Sequence, residues 1–502
     1  MPTEVELKLA VIPADAPALR RHALFAGVKP VRRRLVNVYY DTPELLLAQK
    51  RMALRLRRAG GRWLQTLKAG GGGEAGLHSR EEWEFALPRG ELDLKRFAGT
   101  ALDALHRAKL ADKLRPVFTT DFLRTAWIVE PAAGGRVEVA LDQGKISCGT
   151  RTLVVSELEL ELLAGEPASL FELATVLQHD FALRPDGVSK AERGYRLYRK
   201  ERSQPVKASR IELDAATSPP AALRLAARSC LAQLEANVPG VLLGRDTEFV
   251  HQARVALMRL RSVLRFAAPP DEAAARLNAE LRPFAAALGA ARDLDVLIGQ
   301  ILPPIAAAYT ADAETRRLFG AARRDRAKAR AAMRIAMTSR PYCAALLSVA
   351  RWLTEPPAPD AVEAGLTQFA AARMRKRHKR LLRDASDLTA LTPDQLHRVR
   401  IDAKRLRYSA ECFASLFRKK EALLYLQSLE AIQDALGAIN DAAVAERLVG
   451  KLQPAANLGP FICGWLASRN ADELAAARTA LARLARRKRF WMRPRKAKSD
   501  RK

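Results

Sequence analysis

Residues 4–9 read Glu-Val-Glu-Leu-Lys-Leu, and residues 157–163 read Glu-Leu-Glu-Leu-Glu-Leu-Leu. In both stretches charged and apolar side chains alternate with a period of two, which is typical of a β-strand with two unlike faces. Six further strand-like stretches lie at residues 37–40, 54–57, 63–68, 82–85, 118–129 and 136–142. The first 200 residues are therefore predicted to form about eight strands.

The charges on these strands indicate the architecture. An ordinary half-buried sheet turns its charged face to water, but here charges of both signs recur on one face of nearly every strand. An eight-stranded antiparallel β tunnel or barrel, with a charged lumen and an apolar outer wall covered by helices, explains this α+β pattern. The flanking helices are predicted at residues 13–27, 91–107 and 167–181.

The sequence after residue 205 is rich in Ala, Leu and Arg at helical spacing, and proline pairs divide it into long helices. It contains an internal repeat. His-x-x-Arg-Val at residues 251–255 returns 146 residues later as His-x-x-Arg-Ile at 397–401, and Leu-Gly at 288–289 returns 148 residues later at 436–437. Two motifs in the same order at nearly the same offset predict an all-α bundle of two related four-helix halves.

Four segments are thus predicted: a β tunnel domain at 1–202, a linker and helix start at 203–218, a helical domain at 219–490, and a basic disordered tail at 491–502. The internal repeat lies near 251–295 and 397–441. The N-terminus is acidic where a signal peptide is basic, no run of about 18 apolar residues occurs, and the five cysteines form no CxxC pair. These features predict a cytoplasmic protein without a membrane partner; they indicate no oligomeric state.

The chain carries 85 Lys and Arg against 55 Asp and Glu, a formal net charge of +30. Residues 1–200 hold 32 basic and 25 acidic residues (+7), which leaves 53 against 30 (+23) for the rest. A surplus this large costs self-repulsion unless a polyanion neutralises it. Nucleic acid is the rival to a phosphate polymer, but aromatic residues are only 6% of the chain and lie largely apart from the basic clusters, which favours phosphate recognition without base stacking.

Glu4, Glu6 and Lys8 share one face of their strand, roughly 6.5–7 Å apart. Two carboxylates at that spacing suit a hard cation such as Mg²⁺ or Mn²⁺, with an ammonium beside it for a phosphate oxygen. Taken alone, the pattern favours a solvated edge strand with mixed charges. Similar same-face charges recur on successive strands, at Arg55, Arg57, Lys68, Arg80, Glu82, Glu84, Arg124, Asp142, Glu157, Glu159 and Glu161. In one lumen they form a cage that is basic on one side and acidic on the other.

This set of residues, from Glu-x-Glu-x-Lys at 4–8 to Ser-Lys-Ala-Glu-Arg-Gly-Tyr at 189–195, resembles a CYTH domain of the triphosphate tunnel metalloenzyme family. The resemblance implies hydrolysis of a triphosphate with a divalent metal, Mg²⁺ or Mn²⁺. The implied metal ligands are Glu4, Glu6, Glu159 and Glu161. The implied phosphate-binding residues are Lys8, Arg55, Arg57, Lys68, Arg80, Arg124, Lys190 and Arg193. Lys8, Glu82, Glu84 and Asp142 are implied to assist catalysis. The choice among Glu157, Glu159 and Glu161 stays open because all three share a face.

In the helical part, His251, Arg254, Met258 and Arg261 share a helix face, as do His397, Arg400, Lys404 and Arg407. A single cationic stripe is usually a solvated face, but here it occurs twice, each time followed by Leu-Gly. Residues 215–490 resemble a CHAD domain, which implies binding of inorganic polyphosphate. The expected polyphosphate-binding residues are His251, Arg254, Arg259, Arg261, His397, Arg400, Lys404 and Arg405. Met258 stands where the second copy has Lys404, which weakens the cationic lining on one side.

Together these features predict an enzyme that hydrolyses inorganic triphosphate to pyrophosphate and phosphate and also binds inorganic polyphosphate, in the cytoplasm and in association with polyphosphate granules. Two alternatives stay open. One is a polyphosphate-binding scaffold with no catalysis, and the other is a nucleotide or thiamine triphosphatase, or an adenylyl cyclase, of the same fold.

Overall fold

The computed structural model describes residues 3–70, 73–74, 76–105, 110–132, 134–267, 271–356 and 365–492. The chain divides into two compact units. The tunnel unit comprises Met1–Gln204 and Thr338–Pro356, and the helical unit comprises Pro205–Met337 and Pro357–Lys502.

Eight strands of the tunnel unit form a closed antiparallel barrel, as predicted. The strands are β1 (Thr3–Ala10), β2 (Val31–Asp41), β3 (Met52–Ala59), β4 (Arg62–Ala69), β5 (Gly73–Glu74), β6 (Leu77–Leu87), β7 (Arg115–Val129), β8 (Arg136–Cys148), β9 (Arg151–Ala164) and β10 (Arg184–Pro185). Their order is β10-β1-β9-β8-β7-β2-β3-β4-β6-β5, and pairing of β1 with β6 closes the barrel. The two-residue strands β5 and β10 lie outside the ring of eight.

Thirteen helices lie in the described part of the chain, besides short helical turns. They are α1 (Ala168–Asp180), α2 (Lys190–Tyr198), α3 (Pro219–Leu243), α4 (Thr247–Ala267), α5 (Glu272–Glu280), α6 (Arg282–Val296), α7 (Leu302–Ala308), α8 (Asp312–Thr338), α9 (Arg340–Thr354), α10 (Leu366–Asp384), α11 (Pro393–Phe413), α12 (Lys419–Lys451) and α13 (Leu458–Arg486). Among the described residues, none of these helices is both long enough and apolar enough to cross a bilayer.

The outer wall of the barrel is apolar because every second residue of each strand points away from the lumen. Leu7 and Leu9 of β1 are completely buried on this outer side. Helix α1 packs against β1 and β9 and contributes the buried side chains of Leu170, Phe171 and Leu177. This covering helix corresponds to the one predicted at 167–181.

The other two predicted helices are wrong. Residues 13–27 form only short turns, at Pro13–Asp15, Ala16–Leu19 and Ala23–Phe25. Residues 91–107 contain the turns Leu94–Phe97 and Ala101–Leu105, while 106–107 lie outside the described residues. Gly99 separates those two turns at a φ of 75°, a left-handed conformation that a continuous right-handed helix excludes.

One helix departs from the predicted contiguous domain at 219–490. Helix α9 belongs to the tunnel unit, where it packs against α1 and β10. Its buried face includes Tyr342, Leu346 and Trp352. Arg340 Nη1 donates to the carbonyl oxygen of His179 at 2.7 Å, at the end of α1. The apolar stripe was visible in the sequence, but such a stripe does not specify which surface it covers.

The end of the helical unit also differs from the prediction of a disordered tail from residue 491. Phe490 and Trp491 are 0% and 2% exposed and pack against Tyr425. His378 Nδ1 lies 2.8 Å from the Tyr425 hydroxyl in the same cluster. Aromatic burial therefore fixes the chain as far as this pair. Residues 493–502 of the predicted tail lie outside the described residues.

Helix α2 approaches the barrel closely at Gly194. A Cβ at this position would lie 2.1 Å from Cε2 of Phe118 on β7. Gly194→Ala is therefore expected to lower the unfolding free energy of the full chain by about 1–3 kcal/mol through overpacking, measured by urea or thermal unfolding.

Gly437→Ala is the matched control, because a Cβ there meets nothing within 4 Å in the middle of α12. It should stabilise the helical unit by about 0.5–1 kcal/mol. Equal effects of the two substitutions would contradict the close packing of Gly194.

Candidate active site and anion-binding cavities

The lumen of the barrel is a cavity of about 330 Å³ lined almost entirely by charged side chains. Its lining comprises Glu4, Glu6, Lys8, Tyr39, Ala53, Arg55, Arg57, Lys68, Arg80, Glu82, Glu84, Phe122, Arg124, Glu159, Glu161, Ser189, Lys190 and Ala191. Most of the predicted tunnel residues are thus brought together in one cavity.

Strand register places the charges opposite one another. Glu6 of β1 pairs with Glu161 of β9, and Lys8 pairs with Glu159. On the other side of β1, Glu4 is opposite Arg80 of β6. Directly opposite residues have Cβ atoms about 4.5–5.5 Å apart, so charges on the lumen face contact their cross-strand neighbours.

Two buried lysines are each held by two carboxylates. Lys8 Nζ lies 3.2 Å from Glu6 and 2.9 Å from Glu159. Lys68 Nζ lies 2.5 Å from Glu4 and 2.9 Å from Glu82. Burial opposes the charged form of Lys8, but Glu159 and Glu6 outweigh it and raise the pKa of Lys8. Both lysines therefore stay cationic inside the tunnel.

A further ammonium fills the largest acidic cluster. One carboxylate oxygen each from Asp142, Glu157 and Glu159 lies within 4.8 Å of the others, close enough to hold a metal ion. Lys190 Nζ is bonded to all three, at 2.6 Å to Asp142 and 3.0 Å to Glu159. Arg124 adds a bidentate pair with Asp142 at 2.8 and 2.7 Å. As long as Lys190 stays there, its ammonium occupies the position that a metal would take.

On the other acidic side, Glu4 and Glu6 are paired with Lys68 and Lys8, but Glu161 is not neutralised in this way. Glu161 makes no cation contact among the described residues, and its register partners Glu6 and Glu138 are both carboxylates. Burial and the neighbouring Glu4 and Glu138 raise the pKa of Glu161 to about 7. Crowded carboxylate oxygens of this kind are the ligands that Mg²⁺ and Mn²⁺ prefer. Glu161, with Glu4 and Glu6 as its acidic neighbours, is thus the carboxylate in the lumen that no described cation neutralises.

On the basic side of the lumen, positively charged side chains lie close to one another. Burial and the neighbouring guanidiniums of Arg55 and Arg124 lower the pKa of Arg57 to about 10. Among the described residues, its ion-pair partner is Glu84, whose Oε2 lies 4.0 Å from Arg57 Nη1. Arg80 forms no ion pair among the described residues, and its Nε has no hydrogen-bond partner there. An anion entering the lumen would relieve both groups.

Asp142 and Arg193 do not line the cavity. Asp142 is fully buried and holds Arg124 and Lys190, whereas Arg193 is bonded to Glu157. The geometry therefore gives them positioning roles behind the lumen surface and does not place them in direct contact with a ligand.

Sequence reasoning missed three lining residues, Tyr39, Phe122 and Ser189, and also His78, which lies opposite Glu6 on β6. His78 is 1% exposed, and Arg80 Nη2 lies 2.6 Å from its Nδ1, so this ring orients Arg80. Burial, Lys8 and Arg80 lower its pKa to about 3, which keeps the ring neutral. The signal was available: His78 precedes Arg80 by two residues on a strand, and therefore shares its face.

The helical unit contains two cavities, of about 710 and 530 Å³. Both are lined by the same five residues, His251, Arg254, Lys404, Gln433 and Asp434. We call these five residues the junction. A Cβ added at Gly289 would lie 3.7 Å from Arg254 Nε, so the first Leu-Gly motif lies beside the first basic stripe.

Five of the eight expected polyphosphate-binding residues line these cavities: His251, Arg254 and Lys404 at the junction, Arg259 in the larger cavity and Arg400 in the smaller. The other three do not. Arg261 donates to Asn278, His397 is exposed and hydrogen-bonded to Asn440 at 2.6 Å, and Arg405 is paired with Asp402 at 3.1 Å.

Sequence and structure comparisons agree on two domains. A family model described as CYTH domain matches residues 2–195, and one described as CHAD domain matches residues 225–450. An inorganic triphosphatase of Haemophilus influenzae is 36% identical over 201 residues, which are 39% of this chain and 56% of that protein. The match therefore spans little more than half of that relative's length.

The crystal structure of the CHAD domain from the plant Ricinus communis is similar to the helical part, with 31% sequence identity and a TM-score of 0.51. The similarity covers 58% of this chain and 99% of that domain.

The Lys190 cluster yields a direct test. Lys190→Met leaves three buried carboxylates without their shared cation, so the unfolding free energy of the full chain should fall by about 3–5 kcal/mol, measured by urea unfolding at pH 7. Lys145→Met, on the exposed side of β8, is the control and should change it by less than about 0.5 kcal/mol. Similar stabilities of the two variants would show that Lys190 does not neutralise the cluster.

Proposed function

Because this chain belongs to the CYTH and CHAD families, we propose that its tunnel hydrolyses inorganic triphosphate to pyrophosphate and phosphate. One observation carries the proposal: a single lumen holds under-compensated cations on one side, at Arg57 and Arg80, and under-compensated carboxylates on the other, at Glu161. The first side suits phosphates and the second suits a divalent metal.

The chain's own residues bind and orient the substrate. Arg55, Arg57 and Arg80 provide fixed guanidinium donors for phosphate oxygens, and His78 holds Arg80 in position. Lys8 and Lys68 remain charged because their carboxylate partners anchor them. Phosphoryl transfer depends mainly on positioning and charge stabilisation, which a pre-ordered cage of this kind supplies without reorganisation.

Glu4, Glu6 and Glu161 would hold Mg²⁺ or Mn²⁺, which when bound neutralises phosphate charge and polarises the phosphoanhydride. Glu82 and Glu84, also on the lumen, keep Lys68 and Arg55 in place. Glu84 additionally accepts a hydrogen bond from Thr66 at 3.0 Å. This support rigidifies the face that receives the phosphates.

The lining also favours inorganic triphosphate over a nucleotide. Tyr39 and Phe122 are the aromatic side chains on the described lining of a cavity of about 330 Å³. Phe122 lies under the Lys190 ammonium, whose Nζ is 4.9 Å from the ring centroid, and Tyr39 is stacked on Phe118. Each ring thus already has a stacking or cation partner, and both side chains are buried, at 4% and 3% exposure.

Glu6→Gln should lower triphosphate turnover of the full chain on the order of 10²–10³-fold, because it removes a charge from the metal-binding side. Phosphate release should require Mg²⁺ or Mn²⁺ and should stop in EDTA. Glu81→Gln is the matched control: Glu81 lies on β6 between two lumen residues and points to the opposite face.

Faster cleavage of ATP or thiamine triphosphate than of inorganic triphosphate would overturn the substrate assignment. No turnover of any triphosphate in the presence of metal would favour the polyphosphate-binding scaffold instead.

We further propose that the helical unit binds inorganic polyphosphate at the junction and the two cavities around it. Arg254 and Lys404 make no ion pair among the described residues, and Arg400 reaches only Asp441, at 3.9 Å. Arg400 is buried and Arg254 and Lys404 are half-buried. Cations removed from water in this way without close counter-ions favour a bound polyanion. Retention of the enzyme at polyphosphate in the cytoplasm would follow from such binding.

Reversing Arg400 and Lys404 to Glu should weaken polyphosphate binding by at least about 100-fold at low salt while leaving the triphosphate turnover of the full chain unchanged. Arg375→Glu with Lys376→Glu changes the net charge equally on an exposed face of α10 and should have a much smaller effect. The measurement is a fluorescence titration with labelled polyphosphate at several salt concentrations. Equal losses in both double variants, or displacement by single-stranded RNA at equal phosphate concentration, would contradict a specific site.

The affinity for polyphosphate measured in the same titration should also depend on pH. Burial and the neighbouring Arg400 and Arg254 lower the pKa of Lys404 to about 7. The ammonium is therefore present below pH 7 and lost above it, so affinity should fall as pH rises through 7. The groups facing Lys404 include His251 and Arg254 on α4, Arg407 on its own helix, and Asp441 on α12. Lys404→Arg, which stays charged, should flatten the profile.

A further inference from the structure

The larger cavity of the helical unit joins a cationic end to an apolar wall. The cationic end is the junction, and one wall is formed by Val255 and Met258 of α4 with Leu423 and Leu426 of α12. The rest of the lining carries further cations: Lys207, Arg210, Arg259, Arg407 and Lys419. Leu423 is 53% exposed. A chain of phosphates has no apolar surface, so this wall contributes nothing to binding it. An apolar wall beside an anion site instead suits an organic group attached to phosphate.

Comparison of the two repeat copies shows that the apolar wall contains a position that is cationic in the other copy. Met258 stands at the repeat position of Lys404, and Lys404 lines both cavities while Met258 lines only the larger one. A lysine at residue 258 would make the two copies equally cationic. The methionine replaces that charge with apolar surface on one side, so the larger cavity departs from a lining made only for phosphate.

Gln433 supplies a second and independent sign of a ligand. Its side chain is 8% exposed at the junction. Its Oε1 accepts from Arg407 Nη1 at 3.2 Å, which fixes the amide orientation, and its Nε2 has no partner among the described residues. A buried donor without an acceptor is costly and rare, and a phosphate oxygen at the junction would satisfy it.

We infer that the larger cavity binds a nucleoside triphosphate, with the phosphates at Arg254, Lys404 and Gln433 and the nucleoside against Met258, Leu423 and Leu426. The inference rests on the anion binding proposed above and extends it to a specific ligand class. The cavity of about 710 Å³ is within the range of small-molecule sites.

The polar groups near the wall favour a nucleoside over an aliphatic chain. Asp434 lines the cavity without an ion pair among the described residues, and Glu430 lies at the same wall. Their carboxylates can accept from the amino group of a base. Glu430 is already paired with Arg407 at 3.4 Å. An acyl or isoprenoid chain would cover the Asp434 carboxylate without offering it a hydrogen bond, which is costly.

The test is calorimetric titration of the full chain in EDTA, where metal-dependent turnover is absent, with ATP and with inorganic triphosphate as probes. The added apolar contact should contribute about tenfold to the ATP affinity of the wild-type cavity. Met258→Ser and Leu423→Ser, on two different helices, should therefore each weaken ATP binding severalfold without weakening triphosphate binding. Met258→Leu keeps the apolar wall and should bind ATP like wild type.

Because these positions lie in the helical unit, binding in the tunnel is the same in every variant, and the differences report the cavity. Unchanged ATP binding in both Met258→Ser and Leu423→Ser would overturn the inference. A chain that binds polyphosphate but whose ATP affinity does not depend on these two residues loses this inference alone. A chain whose helical unit binds none of the three anions loses the proposed anion binding as well.

Discussion

Burying Glu6, Lys8 and Glu159 in one narrow lumen is the constraint on which the tunnel depends. Charges removed from water are tolerated only where opposite charges meet them at close range. Each lumen strand supplies partners for its neighbours, and β1 has neighbours on both sides only because the barrel closes through β6. A slip of one residue would turn every charge outward and every leucine inward. The charged residues that line the lumen therefore also determine the pairing register of the barrel strands.

Some charged side chains in the lumen are paired with opposite charges and others are not, and the unpaired ones indicate what the lumen could bind. Lys8, Lys68 and Lys190 are each paired with carboxylates at close range. Arg57 has a carboxylate only at 4.0 Å, Arg80 forms no ion pair among the described residues, and Glu161 has no cation partner there. The paired groups form a rigid frame. Under the proposed function, the unpaired ones mark where a polyanion and a divalent cation would complete the charge balance together.

Period-two alternation was sufficient to predict all eight barrel strands and most lumen residues, because a strand has only two faces. Helical faces were harder to predict. Arg405 follows Lys404 directly and is therefore turned by about 100° around the helix, which places it against Asp402 and away from the cavities. The roles of Asp142 and Arg193 depend on contacts made behind the lumen surface. The position of α9 was beyond prediction, since its partner surface is more than 150 residues earlier in the chain.

That position of α9 determines when the first unit can be complete during synthesis. The chain leaves the tunnel unit after residue 204 and returns to it only at residue 338. At about 5–20 residues per second, the ribosome needs several seconds or more to make the intervening segment. Until then the nascent barrel has the face of α1 that α9 covers still open to solvent. A protease or a chaperone can therefore meet a partly folded species whose α1 face is exposed. The tunnel unit can be completed only after residues 205–337 of the helical unit have been synthesised, although each unit has its own core.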